Sequence, residues 1–476
     1  MSEPKRMHPI AAVLNTVRQI KDMIVPFGVF VIFGSNNFDL GYLVGALGVA
    51  ILFLVAGVIS WYRFTYRIEE GELRIEYGLF VKHKRYIPFE RIQSLDYSEG
   101  ILQRIFGLVK VTVETAGSTG GGKGDAELVA ITKKEAGVIQ EMLVRAKSQK
   151  TADAESLEET NGSVIYRMTG KELVLLATTS GGMGVILSAV FAFAFQLDEV
   201  IPYKKIFKDV SEYAAKGMAF IALAVFIVLF LAWAASVVAT LVKYANYKVK
   251  KVGEDLVITR GLLEKRQFTI PLNRIQAVRI VENPLRQIFG LASASVHSAG
   301  GSAGNVESWK VLVLPVIKKD KIPALLEPYL EGYQLAPALK GLPRQSLRRY
   351  IFRGWIMAAP LVILALVFFK EWGLLSFLLF AISAPWSWLS FKDAGFCLED
   401  DSLTLRARGF SRQTVMMKKK KVQSLTLVES PFQKKKELST ITAAVKSGAG
   451  ASGGKVMDMD KDDAQSVYHW FSREES

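Results

Sequence analysis

The sequence predicts a membrane protein of α-helical hairpins, with about six transmembrane helices, that carries three α+β modules. One stretch of the sequence is repeated three times, and each copy follows a pair of apolar segments. Within each copy, short segments alternate apolar and polar residues, which is typical of strands with one face on a core. Self-similarity at a fixed period indicates one structural unit built several times.

The repeat is clearest in its first two copies. Residues 87–93 read Ile-Pro-Phe-Glu-Arg-Ile-Gln, and residues 270–276 read Ile-Pro-Leu-Asn-Arg-Ile-Gln. The same constant offset in numbering relates Gly78 to Gly261. The third, eroded copy contains Gly409, Lys421, Val422, Gln423, Ser424, Glu429 and Phe432.

The apolar segments are long enough to predict membrane spans. A bilayer core about 30 Å thick requires about 20 apolar residues in a helix. The predicted pairs are residues 23–33 with 40–61, 173–197 with 217–242, and 355–369 with 374–391. The first segment is short, and the apolar spacing before it suits either an amphipathic helix lying in the interface or a longer span.

The distribution of positive charge predicts the orientation. The connections inside the first and third pairs are brief and almost uncharged, whereas basic residues flank the opposite ends. The positive-inside rule then places both termini and all three modules in the cytoplasm, at the inner membrane. The flanking basic residues are Lys5, Arg6, Arg18, Arg63, Arg67, Lys243, Lys248, Lys250, Lys251, Arg344, Arg348, Arg349 and Arg353.

These patterns divide the chain into eight parts. Residues 1–61 form an N-terminal interfacial segment and hairpin 1, 62–150 module 1, 151–172 a polar linker, 173–242 hairpin 2, 243–332 module 2, 333–349 a second linker, 350–391 hairpin 3, and 392–476 a degenerate module 3.

Each module is predicted to be a small bent β-barrel capped by a C-terminal helix. Residues 73–77, 109–114 and 256–259 alternate as strands, and residues 133–146, 318–330 and 460–471 are the helix candidates. Gly78 and Gly261 suit turns. Pro88 and Pro271 suit the entrance of a strand, because proline cannot donate a hydrogen bond to a ladder.

The hairpin, the Gly-Leu-Phe turn, the Ile-Pro-x-x-Arg-Ile-Gln run and the following Phe-Gly-Leu together resemble the bacterial pleckstrin-homology-like family 2, formerly the domain of unknown function 304. Three tandem copies resemble its long membrane-bound members, which often accompany a smaller single-copy relative. The resemblance implies a PH-like barrel with a C-terminal helix, but no particular ligand, because one fold hosts many functions. In the third copy a lysine run, residues 418–421, replaces the Pro and Arg of the motif.

The repeated polar residues Arg91 and Gln93, with Arg274 and Gln276, are candidates for a recognition surface. In a strand, residues two apart lie on the same face, so that each Arg and Gln pair would face a partner, a neighbouring module or lipid headgroups. The alternative is that they satisfy backbone groups at the rim of the barrel beside the proline turn.

Positive charge concentrates around the second module. Residues 61–160 hold 15 basic and 16 acidic residues, whereas residues 242–349 hold 18 basic and eight acidic ones. Near an anionic leaflet each basic residue is worth about 1 kcal/mol, which predicts binding to phosphatidylglycerol or cardiolipin headgroups. The alternative is that these charges only set the topology. The residues concerned are Lys243, Lys248, Lys250, Lys251, Lys265, Arg266, Arg274 and Arg279.

Signals for catalysis are weak. The glycine-rich run at residues 117–123 ends in Lys but is followed by Gly124 where a phosphate-binding loop needs a hydroxyl. The four histidines are scattered without metal-ligand spacing, and the single Cys397 can form no disulfide framework. We therefore expect no catalytic residues, no metal and no cofactor, and the lack of stacking motifs argues against a nucleic-acid partner.

The sequence thus predicts a non-enzymatic membrane protein whose cytoplasmic modules bind lipid headgroups or a membrane-protein partner, such as the smaller single-copy family member. Such a protein could support envelope integrity or resistance to antimicrobial peptides. Two alternatives stay open: a transporter or export component that uses the helical bundle as its substrate path, and a membrane enzyme with a site between modules.

Overall fold

The computed structural model describes residues 4–17, 40–69, 71–78, 81–115, 126–148, 162–180, 218–299, 310–447 and 450–472. The chain divides into two compact units. Unit 1 comprises residues 1–118, 124–252 and 257–269, and unit 2 comprises residues 119–123, 253–256 and 270–476. The division falls inside the second repeat.

The described helices and strands follow the repeat. The helices are α1 (Leu40–Arg63), α2 (Ile101–Ile105), α3 (Lys133–Ser148), α4 (Gly170–Thr179), α5 (Met218–Tyr244), α6 (Pro284–Ile288), α7 (Lys321–Leu326), α8 (Ser346–Phe369), α9 (Leu378–Asp393), α10 (Pro431–Lys434) and α11 (Lys461–Phe471). The strands are β1 (Lys5–Arg6), β2 (Thr65–Glu69), β3 (Glu72–Tyr77), β4 (His83–Pro88), β5 (Ile92–Glu99), β6 (Leu108–Thr115), β7 (Ala126–Thr132), β8 (Ser163–Arg167), β9 (Lys248–Val252), β10 (Asp255–Arg260), β11 (Lys265–Pro271), β12 (Ile275–Glu282), β13 (Leu291–Ser298), β14 (Lys310–Lys318), β15 (Lys340–Gly341), β16 (Gly395–Glu399), β17 (Ser402–Arg408), β18 (Arg412–Lys418), β19 (Val422–Val428), β20 (Leu438–Ser447) and β21 (Gly450–Asp460).

Three described helices are long and apolar enough to cross a membrane, at Phe226–Tyr244, Ser346–Phe368 and Gly373–Asp393. A shorter apolar helix runs from Ile51 to Arg63. The predicted segment 23–33 and most of segment 173–197 lie outside the described residues. The structure therefore supports membrane-spanning helices. It shows three of the six or so that the sequence predicts.

The two helices of the third hairpin pack closely. A Cβ atom added at Gly354 of α8 would lie 2.2 Å from Oγ of Ser387 in α9. Small residues let membrane helices approach in this way, because lipid supplies no hydrophobic force that holds helices together. Most of the exposed side chains of these helices are apolar, and the exposed Arg348 and Lys392 lie in the first turn of α8 and the last turn of α9.

The strand alternation places its apolar residues as predicted. In β3, Leu73 and Ile75 are buried and Arg74 and Glu76 are not. The first module joins β1–β7 and α3 around one core, in which Ile139 of α3 packs with side chains from both sheets. Helix α7 is shorter than the predicted 318–330, because residue 318 still belongs to β14 and Pro328 has no N–H to donate to the preceding turn.

The sheets continue from one module into the next, which the sequence patterns did not predict. The structure contains a four-stranded sheet of order β1-β2-β3-β4, two seven-stranded sheets of order β7-β6-β5-β11-β10-β9-β8 and β14-β13-β12-β18-β17-β16-β15, and a three-stranded sheet of order β19-β20-β21. Each seven-stranded sheet joins the last three strands of one module to the first four of the next. We call the β5–β11 pair the first junction and the β12–β18 pair the second junction.

Each module begins with a strand that precedes its hairpin. Strand β8 pairs antiparallel with β9, and Lys340 and Gly341 of β15 pair with Phe396 and Gly395 of β16. Strand β1 likewise pairs with β2. Residues 163–167 and 340–341, which were predicted to lie in linkers, therefore belong to the sheets. In each module, the segment that precedes the apolar helices therefore lies beside the segment that follows them.

The prolines end strands instead of opening them. Pro88 is the last residue of β4 and Pro271 the last of β11, and each is followed by a one-turn 3-10 helix, Phe89–Arg91 or Leu272–Arg274. Proline near φ −60° leads readily into such a turn. Arg91 and Arg274 therefore end these turns and do not lie in a strand, so the predicted shared strand face for each Arg and Gln pair is wrong.

The repeated glycines make a turn that other residues would strain. Gly78 has φ +123° and Gly261 φ +108°. A Cβ atom on Gly261 would lie 1.9 Å from the carbonyl oxygen of Glu264. The third copy departs from this geometry, because among the described residues none lies within 4 Å of the Cβ position of Gly409, and Gly409 is not one of the described positive-φ residues.

Candidate membrane-facing and inter-module surfaces

The first junction is short and partly exposed. Lys265 of β11 lies opposite Glu99 of β5, Arg266 opposite Ser98, and Gln267 opposite Tyr97. The carboxylate of Asp96 accepts a hydrogen bond from the backbone N–H of Thr269 at 3.3 Å. Loss of solvation raises the pKa of Asp96 well above its usual range, the charge of Glu114 raises it further, and the Thr269 N–H offsets part of the rise.

Backbone hydrogen bonds fasten the end of α5 to the turn that follows β10. The N–H of Gly261 donates to the carbonyl of Ala245 at 2.7 Å, and the N–H of Leu262 donates to the carbonyl of Val242 at 3.0 Å. Carbonyl groups at the end of a helix lack partners within it, so these two bonds satisfy orphan acceptors. Arg260 packs on the ring of Tyr244 at 5.0 Å. The membrane helix and the module are thereby held in a fixed relation.

The short helix α2 presents apolar side chains close to that helix end. Ile105 is 70% exposed, and Ile101 and Phe106 are also exposed. Arg104 of α2 donates to the carbonyl of Leu262 at 3.3 Å, and the N–H of Leu262 in turn bonds the last turn of α5. Two hydrogen bonds thus connect the apolar helix to the end of a membrane helix.

The second junction is longer and contains a buried ionic network. Six residue pairs run from Ala277 opposite Met417 to Glu282 opposite Arg412. Arg412 donates through Nε to Glu282 at 2.9 Å and through Nη1 to Asp393 at 3.0 Å. Arg408 forms an ion pair with the same Asp393, the last residue of α9. The network therefore links β12, β17 and β18 to the end of a membrane helix.

The short helix α6 repeats the arrangement of α2. Ile288 is 77% exposed, and Leu285 and Phe289 are exposed as well. Gln287 of α6 accepts a hydrogen bond from Arg408, whose guanidinium lies 5.8 Å from the ring centroid of Trp386 in α9. In the third module, Phe432 of α10 is 74% exposed. All three modules thus expose large apolar residues at equivalent positions.

The basic residues that follow α5 do not form one surface. Lys248 and Lys250 alternate with the buried Val249 and share one face of β9, whereas Lys251 falls on the other face. Lys243 lies in the last turn of α5, with Nζ 5.6 Å from the ring centroid of Tyr244. The helix end and one face of β9 thus present three of the four charges separately from Lys251.

The other candidate residues have varied surroundings. Arg91 is exposed, and Gln93 lies in β5. Gln276 is buried and donates to the carbonyl of Arg274 at 2.9 Å, which satisfies a backbone acceptor. Arg266 pairs with Glu264 at 2.9 Å, and Lys265 is exposed in β11.

Arg279 lies within the second module's contact with β21. It donates to the carbonyl of Gly453 at 2.8 Å and to Gln413 at 3.2 Å, and burial lowers its pKa. Nearby, His297 Nδ1 lies 2.8 Å from Oγ of Ser452. Burial lowers the pKa of His297 to about 3, with the charges of Arg279 and Lys310 as further causes. Arg279 and Gln276 belong to unit 2, whereas the lysines after α5 belong to unit 1.

The exposed apolar helices and the ionic network were not predicted from the sequence. The exposed apolar helices left a signal in the sequence, since Phe106 and Phe289 recur at equivalent positions of the first two copies. The ionic network left one as well, the Glu that recurs as Glu99, Glu282 and Glu429. Among the described residues, no group of three or more His, Cys, Asp or Glu side chains could hold a metal ion.

The helices and the repeated modules define a membrane protein with PH-like domains. The family described as bacterial PH domain matches residues 23–147, 199–332 and 355–475, and the chain belongs to this family. The chain is also similar to the UPF0699 transmembrane protein YdbT of Bacillus subtilis (strain 168), with 42% identity over 492 aligned residues that cover 100% of this chain and 99% of that protein. The family resemblance seen in the sequence is thereby confirmed. No solved structure matches the chain.

Proposed function

We propose that the chain is a non-enzymatic, six-span protein of the cytoplasmic membrane whose PH-like modules recognise lipid headgroups on the inner face. One observation carries this proposal: each module exposes large apolar side chains on the short helix after its fifth strand. Contiguous exposed apolar residues mark an interaction surface on a membrane or a protein. The proposal places this surface at the bilayer, with both termini in the cytoplasm.

The position of these helices supports contact with lipid. Helix α2 connects to the end of α5 through Leu262, and α6 connects to α9 through Arg408. Residues fixed beside the end of a spanning helix lie near the headgroup region. An apolar helix face there can enter the boundary between headgroups and acyl chains to a depth of about 5–10 Å.

Positive charge near these helix ends would favour anionic lipids. Lys243, Lys248 and Lys250 lie at the end of α5 and at the start of the following strand. Each is worth about 1 kcal/mol near a leaflet rich in phosphatidylglycerol or cardiolipin. Since long basic side chains can reach past apolar surface to headgroups, apolar insertion and charge attraction would act together.

Depth-dependent quenching tests the apolar contact. In a Cys397→Ser background, single cysteines at Ile105, Ile288 and Phe432 carry an environment-sensitive fluorophore in nanodiscs with lipids brominated at different depths. We expect quenching at all three positions, strongest with bromine near the headgroups. A fluorophore at the exposed Glu141 of α3 is the control. Failure of lipid bromine to quench any of the three would overturn the lipid contact.

Lipid selectivity tests the charge contribution. The variant Lys243→Gln/Lys248→Gln/Lys250→Gln should retain less phosphatidylglycerol and cardiolipin through purification than the wild-type chain. A charge-neutralising variant of two exposed residues of α3, Lys134→Gln/Arg145→Gln, should retain the wild-type amount. Equal retention by all three proteins would leave these lysines with the role of setting topology.

A protein partner is the second candidate, because the same exposed surface fits another membrane protein. The smaller single-copy family member is the partner that the tandem architecture favours. Copurification of tagged full-length chain from native membranes should recover it, and Ile288→Ser should reduce recovery if α6 makes the contact.

A deletion strain should become more sensitive to membrane-active peptides, and unchanged sensitivity would contradict a role in envelope defence.

A further inference from the structure

We propose that two edge strands of the described sheets, β4 in the first module and β19 in the third, pair with each other between two copies, so that molecules join head to tail along the membrane. The inference does not depend on lipid recognition. It follows from the way the modules join within one chain.

The joining rule is the same at both junctions. At the first, β11, which precedes the 3-10 turn of module 2, pairs antiparallel with β5, which follows the turn of module 1. At the second, β18 of module 3 pairs with β12 of module 2 in the equivalent register. The strand before the turn in one module thus pairs with the strand after the turn in the preceding module.

Two strands are left over at the ends of the chain. In the described part of the structure, β4 has β3 as its only strand neighbour, and β19 has only β20. β4 is the kind of strand that pairs with a preceding module, and β19 is the kind that pairs with a following one. An unpaired edge presents a row of N–H and C=O groups ready for another strand.

The solvent exposure of β4 and β19 agrees with their position at the edges of the described sheets. Four successive residues of β4 are exposed, and Tyr86 is 51% exposed, whereas the equivalent β18 has four successive buried residues. Four of the seven residues of β19 are exposed, among them Val428 at 51%, whereas the equivalent β12 begins with four buried residues. The two end strands are therefore exposed where the inner ones are covered.

The charges at the ends of the strands are complementary in the shared register. A basic residue lies opposite a glutamate at both junctions, as Lys265 with Glu99 and Arg412 with Glu282. The equivalent residues of the free edges are Lys82 and Glu429, which would meet when β4 of one copy joins β19 of another. β4 also carries Lys84 and Arg85, so that two β4 edges would repel each other.

Such a contact is heterologous, because two different surfaces meet. Heterologous contacts generate rings when the rotation closes and open chains when it does not. The expected register places Arg85 of one copy opposite Thr426 of the other, by analogy with Val415 opposite Arg279 at the second junction. That register specifies where a cross-link between copies should form.

Disulfide trapping tests the register in native membranes. In a Cys397→Ser background, full-length Arg85→Cys and Thr426→Cys chains with different tags are coexpressed and oxidised. We expect a mixed dimer about five-fold more abundant than with the off-register pair Arg85→Cys and Leu427→Cys, because one residue of slip moves a side chain to the opposite face. An intrachain Lys265→Cys/Glu99→Cys variant reports that oxidation works across an established pair.

The outcomes separate the possible occupants. A mixed dimer in the expected register supports pairing between copies. A cross-link that forms only when both cysteines are in one chain shows closure within a molecule, and a cross-link to a single-module protein shows another occupant. Either of these results overturns the proposal, as does the absence of any mixed dimer while the intrachain control forms.

Charge exchange provides an independent measurement. Lys82→Glu in the first partner should lower the yield of mixed dimer by roughly two- to five-fold, as expected for one cross-strand pair. Glu429→Lys in the second partner should restore it. Glu76, which Lys82 contacts at 2.6 Å, also lies near Lys84, so a neighbouring lysine remains for it in the variant. Loss without restoration would contradict the register.

Discussion

The two junctions use the same strand pairing with different side chains. At the first, three residue pairs join β5 to β11; Lys265 is exposed, and Glu99 opposite it pairs with Lys133 of α3 at 2.9 Å. At the second, six residue pairs join β12 to β18, and the equivalent Arg412 and Glu282 form a buried ion pair. One backbone arrangement can therefore give a loosely held contact or a firmly held one, according to what fills a few equivalent positions.

The central position of the fifth strand shows the difference most clearly. It holds Asp96 at the first junction and Arg279 at the equivalent place in the second. Asp96 accepts one backbone hydrogen bond, from Thr269, whereas Arg279 donates to Gln413 and Gly453. The first junction thus encloses an acid whose ionisation is unfavourable, and the second encloses a base that connects three strands.

The largest effect is expected from Glu282→Ala. This change removes one of the two buried carboxylates that bond Arg412 and leaves Asp393 to balance both Arg408 and Arg412. Breaking a buried ion pair in this way costs up to about 3–5 kcal/mol. Hydrogen exchange of β18 amides in nanodiscs should show a fall of that size in opening free energy. The equivalent Glu99→Ala should lower the value for β11 by about 1 kcal/mol or less. Equal effects at both junctions would contradict the comparison.

Substitution of the turn glycine should destabilise the second module and have little effect in the third, because the two turns differ in geometry. Gly261→Ala places a Cβ atom against the Glu264 carbonyl at a positive φ, and we expect a loss of about 2–3 kcal/mol. Exchange of the α5 end and of β11 should rise together. Gly409→Ala is the matched control and should change exchange little, because the Cβ position there is open.

The junctions should respond to pH in opposite directions. The pKa of Asp96 is higher in the folded state than its usual value, so the first junction is most stable in acid and weakens as pH rises above about 4 through that raised pKa. The pKa of His297 falls to about 3, so the region around the second junction loses stability as pH falls from about 6.5 towards 3.

The pH slopes can be measured by exchange of β11 and β13 amides, corrected for the intrinsic rate. Asp96→Asn should flatten the slope at the first junction and stabilise it at neutral pH, since the side-chain oxygen can still accept from Thr269. His297→Asn should flatten the slope around the second. Parallel slopes in the wild-type chain would be inconsistent with these assignments.

The smallest effect is expected from Lys265→Ala. Lys265 lies opposite Glu99 in the ladder, but the carboxylate of Glu99 pairs with Lys133 at 2.9 Å. An exposed charge of this kind contributes about 0–1 kcal/mol, so exchange of β11 should barely change. Arg412→Ala at the equivalent position should destabilise β18 strongly, because Glu282 and Asp393 would both lose a bonded partner. A large effect of Lys265→Ala would show that the first junction depends on this pair.

Local patterns in the sequence predicted much of the module. The alternation of Leu73 and Ile75 with charged residues fixed one face of β3, and the repeat placed Gly78 and Gly261 in equivalent turns. The prediction that Pro88 opens a strand was wrong, because the fixed φ of proline suits both the entrance of a strand and the start of a 3-10 turn. Local preference could not separate the two.

The joining of sheets could not be predicted, because it depends on pairing between residues far apart in sequence. Alternation shows which face of β5 is buried but not which strand lies at its edge. Strand β8 was missed because Ser163–Arg167 follows a polar stretch and gains its structure from pairing with β9. Among the candidate residues, the basic run after α5 was visible in the sequence, but its division between a helix end and two faces of a strand was not.

The first junction has a consequence for biosynthesis. Glu99 pairs across the ladder with Lys265, although a linker and the whole second hairpin separate the two in sequence. At about 5–20 residues per second, β5 waits roughly 10–30 s before β11 emerges, and a pair of membrane segments must be inserted in between. During that interval the nascent chain carries an open edge of the kind that invites misassembly. A gene cut after the first module would make that transient condition permanent, since β5 would never meet β11.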